Sequence, residues 1–239
     1  MGIISDLISA FMPFRCHVCS ESTSPGTVLC PRCFNRLNKS LNKPVEVFDT
    51  VCEFPVFTLS EYDSFVADVI KLIKYRPSKK LPDYFARIIR ERKLLQDFFP
   101  GEKIFIPVPM HKSRLQERGF NQAEMFAQAM ADAGKAHFSP ALVRIRSTIP
   151  QASCSEEERL VNLDQAIELA GGLDLQSFSG KKLILVDDVA TTGTTLRQCW
   201  LKLRDLRPAG IYALVLSHSF KKKDRPDNAS EFDKRRKEI

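Results

Sequence analysis

The stretch Leu183-Ile-Leu-Val-Asp-Asp-Val-Ala-Thr-Thr-Gly-Thr-Thr195 constrains the fold more than any other part of this chain. Four consecutive apolar residues read as a buried strand, because strands covered on both faces carry near-continuous hydrophobic runs. Two acids stand at the carboxyl end of that strand, expected over 182–187, and a Thr/Gly loop feeds a helix expected over 194–206. The loop's backbone N–H groups and the helix N-terminus make an anion site. Gly193 permits close backbone approach, while Thr191, Thr192, Thr194 and Thr195 add hydroxyl groups. Asp187 and Asp188 would repel a phosphate, yet they are good acceptors for a sugar diol. A ribose 5-phosphate unit satisfies both halves. The bland alternative is an acidic strand end followed by a Thr-rich helix cap. A Walker loop is excluded, since no Gly-Lys-Ser/Thr follows a Gly-x-x-x-x spacing.

The rest of the chain alternates strand-like and helical segments, which predicts an α/β fold with a mainly parallel sheet. Strands are expected over 56–59, 103–108, 141–145 and 211–216, and helices over 65–75 and 84–98. Asn121 reads as the N-cap of a further helix, with Glu124 at its third position, Phe120 placed to staple onto Met125, and Gly134 closing it. Leu196, Trp200 and Leu203 would form the inner face of the 194–206 helix, stopped near Pro208. Residues 146–162 have little periodicity and read as a long loop.

Four of the seven cysteines form two tight pairs. Cys16-x-x-Cys19 is followed, after ten residues, by Cys30-x-x-Cys33. Four thiolates at that spacing suit a closed tetrahedral Zn²⁺ site with a structural role. Redox or simply buried thiols are the alternative. A disulfide framework would need an oxidising compartment, and the start of the chain, with no basic n-region and Asp6 in place, does not read as a secretory signal. His17 reads as a surface neighbour of the ligands, and Cys52, Cys154 and Cys199 as small hydrophobes. Ile3, Ile4, Leu7, Ile8, Phe11 and Met12 fall on one helical stripe, expected to pack on the protein's own body. The expected organisation is a helix and four-cysteine module over 1–45, a larger domain over 46–220, and a charged, disordered tail over 221–239.

At 44% hydrophobic and 27% charged, the chain is not a disordered or fibrous sequence. No apolar run approaches the roughly 20 residues needed to span a bilayer, so a cytoplasmic protein is expected. The net charge is +7, from 36 basic and 29 acidic residues. Residues 71–118 alone carry 13 Lys/Arg against five acids, or +8. Such a block favours an anionic partner, either small-molecule phosphates or a nucleic-acid backbone. Solvated helix faces are the equally ready alternative.

The 183–195 string resembles the phosphoribosyl pyrophosphate (PRPP) motif of type I phosphoribosyltransferases, with Ala190 where a Thr or Val is common. Ile106-Pro-Val-Pro-Met-His-Lys-Ser-Arg-Leu-Gln-Glu-Arg-Gly-Phe-Asn-Gln-Ala-Glu124 resembles the signature of the ComF (competence protein F, GntX-like) family. Lys71-Leu-Ile-Lys-Tyr75, Arg146-Ser-Thr-Ile-Pro-Gln151 with Arg159 and Asn162, and the four-cysteine module fit the same pattern. The resemblance implies a type I phosphoribosyltransferase-like, mainly parallel sheet flanked by helices and preceded by the zinc module. It implies that Asp187 and Asp188 hold the ribose, and that Val189, Ala190, Thr191, Thr192, Gly193, Thr194 and Thr195 hold the 5-phosphate. A loop from Met110 to Arg118 would bind pyrophosphate through His111, Lys112, Arg114 and Arg118. The 146–162 loop would be a flexible lid contacting PRPP through Arg146, Thr148, Gln151 and Arg159. Mg²⁺ would arrive with the ligand, bridging pyrophosphate and ribose hydroxyls.

Two functions follow from the resemblance. One is a competence factor that handles single-stranded DNA in natural transformation, beside membrane-associated DNA-uptake machinery and at most peripheral to the inner membrane. The other is a metabolic phosphoribosyltransferase acting on a small-molecule acceptor, with no DNA role. A glutamine amidotransferase is not the expected reading, because position 2 is Gly and 239 residues leave little room for a second catalytic domain.

Overall fold

A computed structural model describes residues 14–47, 52, 54–75, 80–95, 98–145 and 166–219. Helix α1 (Pro31–Ser40) and strands β1 (Val45–Val47) and β2 (Val56–Thr58) come first, then α2 (Ser64–Tyr75) and α3 (Lys80–Glu91). They are followed by β3 (Lys103–Pro107), α4 (Lys112–Arg118), α5 (Gln122–Gly134), β4 (His137–Phe138) and β5 (Leu142–Arg144). Strands β6 (Ile167–Leu169) and β7 (Lys182–Ala190), helix α6 (Thr194–Leu203) and strand β8 (Gly210–His218) complete the order. Six strands form one sheet in the order β1-β2-β8-β7-β3-β4, while β5 and β6 form a separate antiparallel pair. Only β1 runs antiparallel in the larger sheet.

Residue parity along the central strands assigns the two faces of this sheet. Phe105, Ile184, Val186, Leu214 and Leu216 share one apolar cluster with α2, α3 and α5. Ile104, Ile106, Leu183, Leu185, Ala213 and Val215 share the other with α6, β5 and β6. Connections from β3 and from β7 lead away in opposite directions, to β4 at one edge and to β8 on the other side. The gap between β7 and β3 is therefore a topological switch point, where ligands bind beyond the carboxyl ends of the strands in open α/β sheets.

The cysteine segment shares the first of these clusters. Cys16, Val28, Leu29, Cys30, Cys33, Leu37 and Leu41 are buried together with the inner faces of α2 and α3. Two cations of α3 and its end fasten it there: the Lys80 ammonium donates to the Gly26 carbonyl, and the Arg92 guanidinium to the carbonyls of Asn38 and, at 2.6 Å, Leu41. The four sulfurs lie within 4.8 Å of one another, with Cys19 and Cys30 at 3.6 Å. A tetrahedron with Zn–S bonds of about 2.3 Å has edges of about 3.8 Å. The donor set fits such an ion.

Several boundaries differ from the sequence expectation. The helix expected over 84–98 runs instead from Lys80 to Glu91. It ends in a Schellman turn, with Lys93 left-handed (φ 51), Lys93 N–H donating to Arg90 and Leu94 N–H to Ile89. The apolar residues Leu94 and Leu95, inside the expected helix, reach the core from beyond that turn. Gly134 is the last residue of α5, and Lys135 takes the left-handed C-cap. The strand expected to end at Asp187 continues to Ala190, because β8 pairs alongside it as far as Ala190 opposite His218. The stretch expected as a loop from Met110 to Arg118 contains helix α4. None of its residues is buried, so no apolar periodicity announced it. The N-terminal stripe, the expected lid over 146–162 and the charged tail lie outside the described residues.

Helix α3 meets α5 through Phe85, fully buried, whose ring stands edge-on to Phe126 at 5.0 Å. Phe85→Ala is expected to destabilise the protein by about 3–5 kcal/mol, as buried Phe→Ala changes do. Denaturant unfolding checks this, and a loss under about 1 kcal/mol would mean that the α3–α5 contact does not hold the layer.

Candidate functional site

An open cleft of ≈ 210 Å³ lies at the switch point. Its walls are Val108, Pro109, Met110 and His111 beyond β3, Arg114 and Arg118 of α4, and Asn121 and Gln122 at the start of α5. Asp187 and Asp188 of β7, Thr195 of α6, Lys74 of α2 and Arg144 of β5 close it. The structure thus gathers in one place residues that lie more than a hundred positions apart in sequence.

Consecutive strand residues face opposite sides of a sheet. Asp188 has the parity of Ile184 and Val186 and meets the layer carrying α2, where Lys74 Nζ lies 3.1 Å from its Oδ2. Asp187 has the parity of Leu183 and Leu185 and faces the other layer, where the charges it feels include Arg144. Each carboxylate also accepts from the next backbone N–H: Asp188 N–H to Asp187 Oδ1 and Val189 N–H to Asp188 Oδ1, both at 2.8 Å. The Asp187 carboxyl is pushed well above the ordinary carboxylate range, first by burial and then by the adjacent Asp188, against a smaller pull from Lys74. Burial, and then Arg114 alongside, moves the Arg144 guanidinium below its usual value, while Asp187 pulls it back.

Local sequence explains the opposite wall. His111 is the N-cap of α4, its Nδ1 accepting from Ser113 N–H at 3.2 Å and lying 2.8 Å from Ser113 Oγ. Gly119, left-handed at φ 77, ends the helix. Residues four apart share a helix face, so Arg114 and Arg118 both line the cleft, whereas Lys112 is exposed and lies away from it. Asn121 caps α5 by accepting from Ala123 N–H at 3.1 Å, as its spacing predicts, and its amide donates to the Val108 carbonyl at 3.1 Å. That second bond ties the start of α5 to the end of β3. A backbone bridge between His111 and Arg144 brings β5 to the same wall.

Of the residues expected in the phosphate loop, Thr195 reaches the cleft. Val189 is half-buried and Ala190 buried in the last residues of β7. Thr191 and Thr192 are exposed, and the Thr192 and Thr194 hydroxyls lie 3.1 Å apart. Gly193 is left-handed at φ 69 and serves as N-cap of α6; a side chain there would strain the turn. Trp200 is half-buried rather than fully inside, stacked parallel on Phe54 at 5.7 Å. Arg146, Thr148, Gln151 and Arg159 lie outside the described residues. Lys74, Asn121, Gln122 and Arg144 are cleft residues to which sequence reasoning gave no ligand role. Lys74 lies in the 71–75 motif and Asn121 and Gln122 in the 106–124 signature, where the spacing marks Asn121 as a cap. Arg144 gave no signal, since it ends a three-residue strand outside the main sheet.

The phosphoribosyl transferase domain family matches residues 121–238. DNA utilization protein YhgH of Salmonella typhimurium is 27% identical over 194 residues, covering 77% of this chain and 81% of that one. Competence protein F of Haemophilus influenzae is 34% identical over 102 residues, covering 42% of this chain and 44% of that one. Among solved structures, an adenine phosphoribosyltransferase is 14% identical across 78% of this chain and 89% of that one, with a TM-score of 0.40.

The raised Asp187 value has a consequence for stability. Between the unfolded carboxyl value, about 3.9, and the higher folded one, the native state binds more protons than the unfolded chain. Stability from this group is therefore full below about pH 4 and is lost as pH rises through the folded value. Asp187→Asn removes that loss, so its melting temperature relative to the wild type is expected to climb from pH 4 to pH 8 in the absence of ligand. A difference that stays flat across this range would contradict the strained carboxyl.

Proposed function

Because the chain belongs to the ComF family, four-cysteine proteins built on the type I phosphoribosyltransferase fold, we propose that its cleft binds PRPP together with Mg²⁺. One observation carries this reading: a single cleft at the switch point is lined by the carboxylate pair, by Arg114 and Arg118, and by Thr195 of the phosphate loop. Sugar hydroxyls donate to Asp187 and Asp188, and those donors relieve the cost of two neighbouring carboxylates, one half-buried and one buried. The diphosphate lies against Arg114 and Arg118, whose planar guanidinium forks suit its oxygens. His111 shapes this wall by capping α4. Residues 189–195 take the 5-phosphate. Mg²⁺, when bound with the ligand, supplies charge neutralisation between diphosphate and ribose. The lid role of Arg146, Thr148, Gln151 and Arg159 belongs to the same reading.

The names carried by its relatives support a biological role in handling DNA, which we place at single strands entering during natural transformation, in the cytoplasm and beside the membrane uptake machinery. Among the described residues, no helix is long and apolar enough to cross a membrane. Among the described residues, the cations of the basic block over 71–118 are divided between sites. Lys74, Arg114 and Arg118 line the cleft, while Lys80 and Arg92 are engaged with carbonyls of the cysteine module. A metabolic transferase using a small acceptor is the other outcome. PRPP-dependent pyrophosphate release with a cell metabolite extract, and no single-strand binding at low salt, would favour it.

Calorimetry with PRPP is expected to give binding that depends on Mg²⁺, weakened about tenfold or more by Asp188→Ala. Equal binding by the wild type and an Asp187→Ala/Asp188→Ala double variant would overturn the site.

We also propose that Cys16, Cys19, Cys30 and Cys33 hold one structural Zn²⁺. Metal analysis is expected to give one zinc per chain. Since these sulfurs are part of the main apolar cluster, chelation should lower the melting temperature of the whole protein rather than of a detached module. Metal-free protein of unchanged stability would refute this.

A further inference from the structure

Gln122 stands in the first turn of α5 with only 3% of its surface exposed, and it lines the cleft. Its amide nitrogen has no hydrogen-bond partner among the described residues. The contrast with its neighbour is direct, because both ends of the Asn121 amide are engaged. A buried donor left unmade costs stability, so native proteins retain few of them. The packing of α5 does not require one here. The other buried residues of this helix are Ala123, Phe126, Ala127, Ala129, Met130 and Ala131, and a leucine at 122 would extend that apolar set.

The surroundings define what the amide awaits. It is a donor, so its partner is an acceptor oxygen, which sets it apart from the sugar hydroxyls that donate to Asp187 and Asp188. It shares its wall with Arg114 and Arg118, which favours an anion. Arg114 already bears on Arg144 beside it, and a further cation at 122 would add like charge. A neutral amide adds a directional hydrogen bond without it.

We propose that Gln122 is a ligand-binding, specificity-determining residue whose amide donates to a diphosphate oxygen held against Arg114 and Arg118. It makes the cleft prefer a diphosphate over a single phosphate, because the larger anion offers oxygens to the amide as well as to both guanidinium groups. This rests on the PRPP reading of the cleft and adds to it the residue that selects the diphosphate group.

The test uses the full chain with Mg²⁺ and two probes, inorganic pyrophosphate and orthophosphate. Gln122→Leu is expected to weaken pyrophosphate binding by about tenfold or more, as loss of a hydrogen bond to a charged group does. Orthophosphate binding should change little, so the ratio of the two affinities narrows. The ligand-free melting temperature should stay level or rise, since the variant removes an unsatisfied buried amide. A residue with a merely structural role would instead lower the melting temperature and both affinities together. Gln122→Glu should weaken pyrophosphate more than Gln122→Leu, by setting a carboxylate against the anion. Gln122→Met provides a second apolar variant should leucine not be accommodated. Wild-type binding of pyrophosphate with unchanged affinity in the apolar variants overturns the role of Gln122 alone. A wild type that binds neither PRPP nor pyrophosphate overturns the reading of the cleft, and this inference with it.

Discussion

Two successive carboxylates near the end of a buried strand are the constraint around which this protein is arranged. Asp187 and Asp188 point to opposite faces of the sheet, so neither helical layer alone can satisfy both. The structure answers from each side: Lys74 comes from α2 to Asp188, and Arg144 from the β5–β6 pair adds an opposite charge for Asp187. The compensation is incomplete, as the raised Asp187 value indicates. A site that keeps such strain in the ligand-free state is poised to gain when donors enter it. The strand carrying the acids is paired with β3 as far as Val186 and with β8 beyond it, which holds Asp187 in fixed register opposite Val215.

The opposite wall is built by different means. Helix α4 buries none of its residues, so packing does not hold it. Its position comes from its two ends, the His111 cap and the Gly119 turn, and from Asn121 anchoring α5 to Val108 just beyond. A short, exposed, capped helix can therefore present two arginines four residues apart without disturbing the core. The cysteine segment acts at a distance from this cleft. It closes one side of the apolar cluster to which α2 belongs, and α2 delivers Lys74. A metal held by the four cysteines would thus reach the cleft through one packed layer rather than through contact.

Much of this was legible in the sequence where periodicity or spacing carried it. The 183–195 string marked strand, acids, loop and helix, and Asn121 with Glu124 marked the cap of α5. The doubled Cys-x-x-Cys marked a cluster whose sulfurs do converge. The failures have physical causes. Helix α4 was missed because a helix with no buried face has no hydrophobic period. The expected helix runs past the end of α3 because Leu94 and Leu95 continue the apolar content through a turn that only backbone geometry reveals. Arg144 and Gln122 were invisible as ligand candidates, since a residue at the end of a three-residue strand and an amide in a first helical turn look ordinary until the fold sets them beside the acids.

The basic block illustrates why a charge total is a poor guide to a partner. Its +8 is real, yet the fold distributes it among separate tasks. Lys74 neutralises an acid of the chain itself, Lys80 and Arg92 satisfy carbonyls of the cysteine module, and Arg87 pairs with Glu91 on the surface of α3. The cations facing the cleft are few and converge on a volume suited to a small molecule. A nucleic-acid strand binding through Arg114 and Arg118 would take the same guanidinium groups that a diphosphate needs. Linkage then makes the two ligands mutually exclusive, each lowering the affinity of the other by the same factor. A strand bound elsewhere would leave that affinity unchanged. In a protein of this architecture, a small phosphorylated ligand and a DNA strand are therefore coupled through two arginines or not coupled at the cleft at all.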